Sequence, residues 1–217
     1  MSIPRRVDAG CKNCGATFQV TIWESINTDM GLDLPKRLMS GEFFNITCPN
    51  CGETAHIEYP MLYNDLRHSA FIQLAPTEEM RKSEEEVFET FRSFGIDTMR
   101  IVKNGRELAE KVTCLEYGRD DRLVEICKAY CKGALEEEKP DFVPDRGYYY
   151  HNGDNEFIVF FDAEDNSLTC RFPEEVYDGF AQHLHDFLEK DATNQSFVVD
   201  EEWLESFIEE NQDSFPV

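Results

Sequence analysis

The chain has 217 residues, of which 41% are hydrophobic, and its formal net charge is −23. This length is sufficient for one large domain or for two smaller domains with hydrophobic cores of their own. The acidic excess counts against a nucleic-acid partner, because such a chain repels phosphate backbones. No apolar run approaches the ~18 residues that a membrane span needs, so we expect no membrane association.

The charge is unevenly distributed along the chain. Residues 1–82 have a net charge of −2, whereas residues 83–217 have a net charge of −21. Such an asymmetry indicates two parts with different surfaces. We therefore predict two domains, 1–82 and 83–217, of which the second is strongly acidic.

Four of the eight cysteines form two C-x-x-C pairs, each followed by glycine: Cys11, Cys14, Cys48 and Cys51. Two intervening residues allow both sulfurs of a pair to reach one ion from a single tight turn. The following glycine can adopt the positive φ that turns backbone N–H groups toward a thiolate. Four thiolates suit a closed, tetrahedral Zn²⁺ site, and the same geometry also holds iron. The sequence predicts a four-cysteine metal site, with Zn²⁺ as the expected ion and Fe as the alternative.

Two features favour a cytoplasmic location. The amino terminus, MSIPRRVDAGC, has basic residues but lacks the apolar stretch of a secretory signal. Paired cysteines in a chain of this length also fit reduced thiols better than a disulfide framework.

The segment between the two cysteine pairs predicts an elaborated zinc ribbon. Alternating residues 18–25 predict a strand, and a short helix begins near Asp33 with Pro35 in its first turn. Residues 43–47 lead into Cys48 and residues 54–60 lead out of the second pair, which predicts a hairpin with the cysteines at its tip. His56 lies a few residues beyond this tip, where we expect an outer-shell or surface position.

This part of the sequence resembles the bacterial CpXC proteins. The resemblance rests on CKNCG, on VTIWESIN followed by LPKRLMSGEFFNITCPNCG, and on AHIEYPMLYNDLRHSAFIQLAP. It covers residues 9 to about 78, and it extends more weakly through residues 99–102 and 118–126. The family is presumed to bind zinc through its four cysteines, so the resemblance implies a zinc site at Cys11, Cys14, Cys48 and Cys51. It leaves the function open, because the biochemical role of the family is not established.

The second part predicts several amphipathic helices and a strand. Ser83 and Glu86 have the spacing of a capping box, which predicts a helix over 83–94 with Val87, Phe91 and Phe94 as its apolar stripe. Residues 99–102 predict a strand. Three further helices are predicted after the capping residues Asn104, Asp120 or Asp121, and Asp200, and a fourth after Pro173.

Residues 146–172 change to an alternating pattern, which predicts a three-stranded meander with turns at 152–153 and 165–166. Cys127 and Cys131 lie on the apolar stripe of the helix that begins near Asp120, so we expect them in the core. The predicted fold class is α+β: an elaborated, zinc-ribbon-like domain followed by an acidic α+β domain.

The sequence contains no nucleophile–base pair, phosphate loop or dinucleotide fingerprint. The favoured hypothesis is a non-enzymatic zinc-binding module that presents a surface to a protein partner. One alternative is a rubredoxin-like iron centre that carries one electron. Another is an enzyme whose site forms only in the folded second domain.

Overall fold

The computed structural model describes residues 2–28, 33–193 and 196–211, and for residues 190–193 it describes the backbone alone. The described chain confirms the predicted α+β class. Its strands are β1 (Ile3–Gly10), β2 (Thr17–Asn27), β3 (Asn45–Thr47), β4 (Thr54–His56), β5 (Met61–Asp65), β6 (Ala70–Leu74), β7 (Thr98–Val102), β8 (Arg146–His151), β9 (Glu156–Phe161) and β10 (Ser167–Arg171). Its helices are α1 (Leu34–Met39), α2 (Glu78–Phe91), α3 (Gly105–Tyr117), α4 (Asp121–Glu138), α5 (Glu174–Thr193) and α6 (Glu201–Glu210). Among the described residues, no helix is long and apolar enough to cross a membrane.

The chain divides into two compact units, Met1–Val112 and Thr113–Val217. This division falls later than the boundary at residue 82 that the charge distribution indicates. The reason is strand pairing: β7 lies beside β6, with Ala70 opposite Thr98 and Leu74 opposite Val102. Residues 83–112 thus complete the sheet of the first unit.

The first unit is built on a mixed sheet with the strand order β1-β2-β5-β6-β7. Parallel neighbouring strands need a crossover connection, and this sheet has two such connections. Helix α2 connects the parallel strands β6 and β7. The connection between the parallel strands β2 and β5 contains α1 and a separate hairpin, β3–β4. The hairpin with the second cysteine pair is therefore an insertion in a crossover.

The core of the first unit lies on the inner strands. Its fully buried side chains include Ile26, Met61, Tyr63, Ile72, Leu74 and Met99. Strand β2 pairs with β5 only over Ser25–Asn27, so most of the β1–β2 hairpin has no other strand of the described chain beside it. Most residues of β1 are exposed. This hairpin consequently forms a two-stranded arm that ends at the first cysteine pair.

Most of the predicted helix starts are confirmed. Asn104 caps α3, because the Glu107 amide donates to Asn104 Oδ1, and the Glu107 carboxylate in turn accepts from the amide of Lys103, which precedes the cap. Asp120 caps α4 and Asp200 caps α6 through their side-chain oxygens. The predicted start of α2 was wrong: its cap is Thr77, which accepts from the Met80 amide, and Ser83 lies inside the helix.

The second unit combines the predicted meander with three helices. The strands β10, β9 and β8 lie side by side and antiparallel, with Gly153 and Asp165 at positive φ in the two turns. Helix α4 packs against β8, β9, α5 and α6. Cys127 and Cys131 are buried in the resulting core, as predicted, together with aromatic side chains such as Tyr149, Phe160 and Trp203.

Candidate metal centre

The two cysteine pairs occupy the tips of two hairpins and fold alike. In the first knuckle (Cys11–Gly15), between β1 and β2, the Gly15 amide donates to Cys11 O and the Cys11 amide donates to Ala16 O, both at 2.9 Å. In the second knuckle (Cys48–Gly52), between β3 and β4, the Gly52 amide donates to Cys48 O and the Cys48 amide donates to Glu53 O, at 2.9 and 2.8 Å. Both glycines have a positive φ, 71° at Gly15 and 76° at Gly52, which favours glycine over any other residue.

The four sulfurs meet between the knuckles. Cys11 Sγ lies 3.6 Å from Cys51 Sγ, and Cys14 Sγ lies 3.7 Å from Cys48 Sγ. All four atoms lie within 4.8 Å of one another. A tetrahedral ion with metal–sulfur bonds of ~2.3 Å places its sulfurs ~3.8 Å apart, close to these distances. The group of four cysteines could therefore hold a metal ion.

Each sulfur contact joins the first cysteine of one knuckle to the second cysteine of the other. The asparagines that precede the second cysteines follow the same crossed pattern. Asn50 Nδ2 donates to Cys14 Sγ at 3.4 Å, and Asn13 Nδ2 donates to Cys51 Sγ at 3.7 Å. This role of the asparagines was not predicted from the sequence, although their repetition in C-x-N-C-G was the available signal.

The neighbours of Cys14 and Cys51 move their pKa values in opposite directions. The hydrogen bond from Asn50 and then that from the Ala16 backbone lower the pKa of Cys14 to about 6. At Cys51, the hydrogen bond from the Glu53 backbone lowers the pKa, but desolvation and the sulfurs of Cys14 and Cys11 raise it to about 11 overall. One thiol of the cluster ionises readily, whereas a further thiolate is disfavoured by the charge already present. A bound cation removes that penalty, so binding a metal releases protons.

Solvent reaches only part of the cluster. Cys48 is buried, Cys11 is half-buried, and Cys14 and Cys51 are exposed. The short strands beside the second knuckle contribute little shelter, since all three residues of β4 are exposed. The hairpin β3–β4 consequently has almost no core of its own.

Aromatic side chains attach this hairpin to the rest of the first unit. The ring of Phe44, just before β3, packs edge-on against Tyr59 at 5.4 Å and His56 at 5.9 Å. The Trp23 amide of β2 donates to the Tyr59 hydroxyl at 3.3 Å, which links the second hairpin to the first. Gly105, at the start of α3, approaches Phe44 so closely that a Cβ there would lie 2.8 Å from the ring. These contacts fix the position of the second knuckle.

His56 lies at the surface, outside the group of four sulfurs. Its Nδ1 is 3.0 Å from Asn45 Oδ1, and its Nε2 is 3.0 Å from Glu58 Oε1. Both ring nitrogens thus already have partners on β3 and beyond β4.

The cysteines of the second unit differ chemically from the cluster. Burial raises the pKa of Cys127 to about 12 and that of Cys131 to about 11. Such thiols stay protonated near neutral pH and pack as small apolar groups. Cys127 and Cys131 are therefore core residues and do not resemble reactive or metal-binding cysteines.

An ionic network in the second unit is centred on Arg119 and Glu156. Arg119 donates from Nε and Nη2 to the carboxylate of Glu156, at 3.0 and 2.5 Å, and the Tyr149 hydroxyl donates to Glu156 Oε1 at 2.8 Å. The guanidinium also lies over the ring of Tyr177, at 4.7 Å from its centroid. This network connects the start of α4 to the meander and to α5.

One of the comparisons with known proteins found a match. A family model described as CpXC protein matches residues 10–128, which is more than half of the chain. No curated protein and no solved structure matches the sequence. The matched residues contain both knuckles, both crossovers of the first sheet and the first part of α4. The chain therefore belongs to the CpXC family.

Proposed function

We propose that this protein binds one Zn²⁺ ion through Cys11, Cys14, Cys48 and Cys51, and that the ion is structural. The observation that carries the proposal is the crossed sulfur arrangement, with separations of 3.6 and 3.7 Å between knuckles. Four thiolates fill a tetrahedral ion completely, and no position is left for a substrate. The metal then joins two hairpins and performs no chemistry.

A structural role follows from the weakness of the hairpin β3–β4. Each of its strands has three residues, and five of the six are exposed. A two-stranded hairpin of this size is not stable in water by itself. A metal ion that joins it to the β1–β2 arm supplies the stability that a hydrophobic core supplies elsewhere.

We propose zinc as the ion because a closed shell of four thiolates is its typical structural site. Iron fits the same four sulfurs and remains the alternative. All eight cysteines lie in the described residues and none of them forms a disulfide, which fits the reducing cytoplasm.

We further propose that the protein acts as an interaction module for another protein. A closed metal site and a large acidic surface suit recognition better than catalysis, since the net charge of −23 favours basic partners and disfavours nucleic acid.

Elemental analysis of the purified chain, with a visible spectrum, tests the metal. We expect one zinc per chain and no visible absorption. The variant Cys48→Ser should lose the metal, because it removes a buried ligand, whereas Cys170→Ser in the meander should retain it. A red protein with iron would establish the electron-carrier alternative instead, and full zinc content in Cys48→Ser would refute the site.

A further inference from the structure

Helix α2 presents an apolar stripe to solvent. Phe88 is its buried anchor, with 2% of the side chain exposed. The residues Met80, Val87, Phe91 and Phe94, which we call the α2 stripe, are exposed at 40, 40, 38 and 70%. They follow the helical spacing i, i+7, i+11 and i+14, so they share one face. The sequence predicts Val87, Phe91 and Phe94 as the apolar stripe of this helix. In the described chain Phe88 is buried, whereas the α2 stripe stays 38–70% exposed.

Aromatic contacts hold part of the stripe in a fixed arrangement. The Phe91 ring lies edge-on to Phe71 of β6, with centroids 6.5 Å apart, and 5.6 Å from the Phe94 ring. Phe94 lies in the 3-10 turn that ends α2, and Gly95 then leaves the helix at a φ of 71°. A preformed aromatic surface loses little side-chain entropy on binding, and aromatic side chains are the commonest energetic anchors of interfaces.

Acidic side chains accompany the stripe. Helix α2 contains six glutamates but only Arg81 and Lys82 as cations. Lys82 is paired with Glu78 at 2.7 Å, and Arg81 donates to the Ala75 carbonyl. Glu79 and Glu86, seven residues apart, flank the stripe on its outer side and are exposed. An apolar stripe with an acidic flank complements a helix that has apolar side chains on one face and lysines or arginines beside them.

Other occupants fit this charge pattern less well. A second copy that docks by twofold symmetry would place acidic helix against acidic helix. Nucleic acid and anionic membranes would meet the same repulsion. We propose that the α2 stripe is a docking surface for a basic amphipathic helix of a partner protein. This inference rests on the proposed interaction function, and it names the surface and the chemistry of the partner.

The test uses the full zinc-loaded chain and a labelled 18-residue peptide in which leucines at i, i+3, i+4 and i+7 form one helix face and lysines fill the rest. Fluorescence anisotropy measures its affinity. Two further probes are a peptide with glutamate in place of every lysine and a lysine peptide with its leucines spread around the helix. The exposed position of Phe94 makes Phe94→Ser a variant that should fold. Val143→Ser, which changes a valine that is 73% exposed in the second unit, is the matched control.

We expect Phe94→Ser to weaken binding of the amphipathic lysine peptide about tenfold, the usual effect of losing one anchor. Val143→Ser should bind like the unchanged chain. At low salt, the double variant Glu79→Gln/Glu86→Gln should bind the amphipathic lysine peptide more weakly than the unchanged chain does. Its affinity should also fall less than that of the unchanged chain as the salt concentration is raised. The glutamate peptide should not bind, and the scrambled lysine peptide should bind weakly and equally to the unchanged chain and to Phe94→Ser.

Equal affinity of Phe94→Ser and the unchanged chain would overturn the proposal. It would also be overturned if sedimentation showed a dimer that Phe94→Ser dissociates, because the occupant would then be a second copy. Zinc analysis of the same samples separates this result from the proposed function. Failure of peptide binding in zinc-loaded protein refutes the docking surface alone, whereas the absence of zinc from freshly purified protein that still binds the peptide refutes the metal assignment alone.

Discussion

Asn13 and Asn50 connect the two knuckles at the level of single side chains. Each amide donates to a sulfur of the opposite knuckle, so each supports a ligand that its own turn does not contain. Four thiolates around a divalent cation leave a net charge of −2, and hydrogen-bond donors stabilise that charge. Because the donors are crossed, they also resist separation of the hairpins. At the proposed metal site we therefore expect the asparagines to affect both the affinity for the metal and the rate of its release.

The double variant Asn13→Ala/Asn50→Ala should bind zinc roughly 10- to 100-fold more weakly, which is the typical effect of removing outer-shell partners. Competition with a chromophoric chelator measures both the affinity and the rate of release. The control is Asn45→Ala, which removes an exposed amide that bonds to His56 and not to sulfur. Zinc release that is as slow from the double variant as from the control would show that the crossed hydrogen bonds do not contribute.

Glu156 provides a prediction in the second unit. Burial alone would raise the pKa of this carboxyl, but hydrogen bonds from Arg119 and Tyr149 outweigh burial and lower the pKa below its ordinary value. A lowered folded-state pKa means that the ion pair stabilises the fold above the unfolded-state pKa and that this stabilisation is lost as the pH falls through the folded-state value. Glu156→Gln should lower the free energy of unfolding by about 2 kcal/mol at pH 7, because it leaves Arg119 poorly paired.

The deficit of Glu156→Gln should shrink as the pH falls through the lowered folded-state pKa of Glu156, because the carboxyl of the unchanged protein then also becomes neutral. Denaturant unfolding at several pH values, followed by Trp203 fluorescence in a Trp23→Phe background, measures the free energy of unfolding of both proteins. Glu174→Gln is the matched control, since Glu174 contacts the same Arg119 but its side chain is 68% exposed. Its effect should stay below about 0.5 kcal/mol. A pH-independent deficit in Glu156→Gln would contradict the role of the charge.

At the scale of strands and helices, Gly147 shows how the meander packs. Gly147 of β8 lies opposite Phe160 of β9, and the buried Phe160 ring covers it. A Cβ at Gly147 would lie 2.6 Å from the ring, closer than any tolerated contact. Gly147→Ala should therefore destabilise the second unit by about 2 kcal/mol through overpacking. Gly133→Ala in α4 is the control, because its Cβ meets nothing within 4 Å and alanine is the better helix former.

Thermal unfolding distinguishes the two alanine variants by the sign of their effects. Gly147→Ala should have a lower midpoint temperature than the unchanged chain, and Gly133→Ala should have an equal or higher one. A neutral effect of Gly147→Ala would show that Phe160 can move aside without cost.

The elements that sequence predicted best are those with local signals. The caps Asn104, Asp120 and Asp200 define helices by side chains within three residues of the amides they bind. The cysteine spacing likewise defines each knuckle locally. In contrast, β1, β5 and β6 were not predicted, and neither were the parallel pairings of β2 with β5 and of β6 with β7, which join residues distant in sequence. The crossed asparagine hydrogen bonds also join residues distant in sequence. No local pattern indicates that the two knuckles face each other.

The apolar stripe of α2 illustrates a further limit of periodicity. Helical spacing identified Val87, Phe91 and Phe94 as one face, and that part of the prediction is correct. It does not reveal how much of such a face the rest of the chain covers. Phe88 is buried, whereas the three stripe residues remain 38–70% exposed although Phe91 contacts Phe71 of β6. An amphipathic pattern is equally consistent with a core face and with an interface, and only the packed structure separates the two.

For the molecule as a whole, the metal hairpin is an insertion in a crossover of the first sheet, while the buried side chains of that sheet lie on β5, β6 and β7 and at the end of β2. Metal loss should therefore release the two hairpin tips and leave the sheet core folded. Hydrogen exchange of backbone amides measures which segments unfold. After treatment with a strong chelator, amides of residues 45–56 and of the outer β1–β2 arm should exchange rapidly. Amides of β6, and of β8 and β9 in the second unit, should keep their protection.

Fluorescence of the two tryptophans provides an independent readout of the same prediction. Trp23 lies on β2, where its amide bonds to Tyr59, whereas Trp203 is buried against Phe207 in the second unit. Removal of the metal frees the hairpin β3–β4, which Tyr59 follows directly in the chain, so the emission of Trp23 should shift to longer wavelength in a Trp203→Phe background. Trp203 emission should not change in a Trp23→Phe background. Re-addition of zinc should restore the first signal, and a response from Trp203 equal to that of Trp23 would show that the metal stabilises the whole chain instead of the hairpins alone.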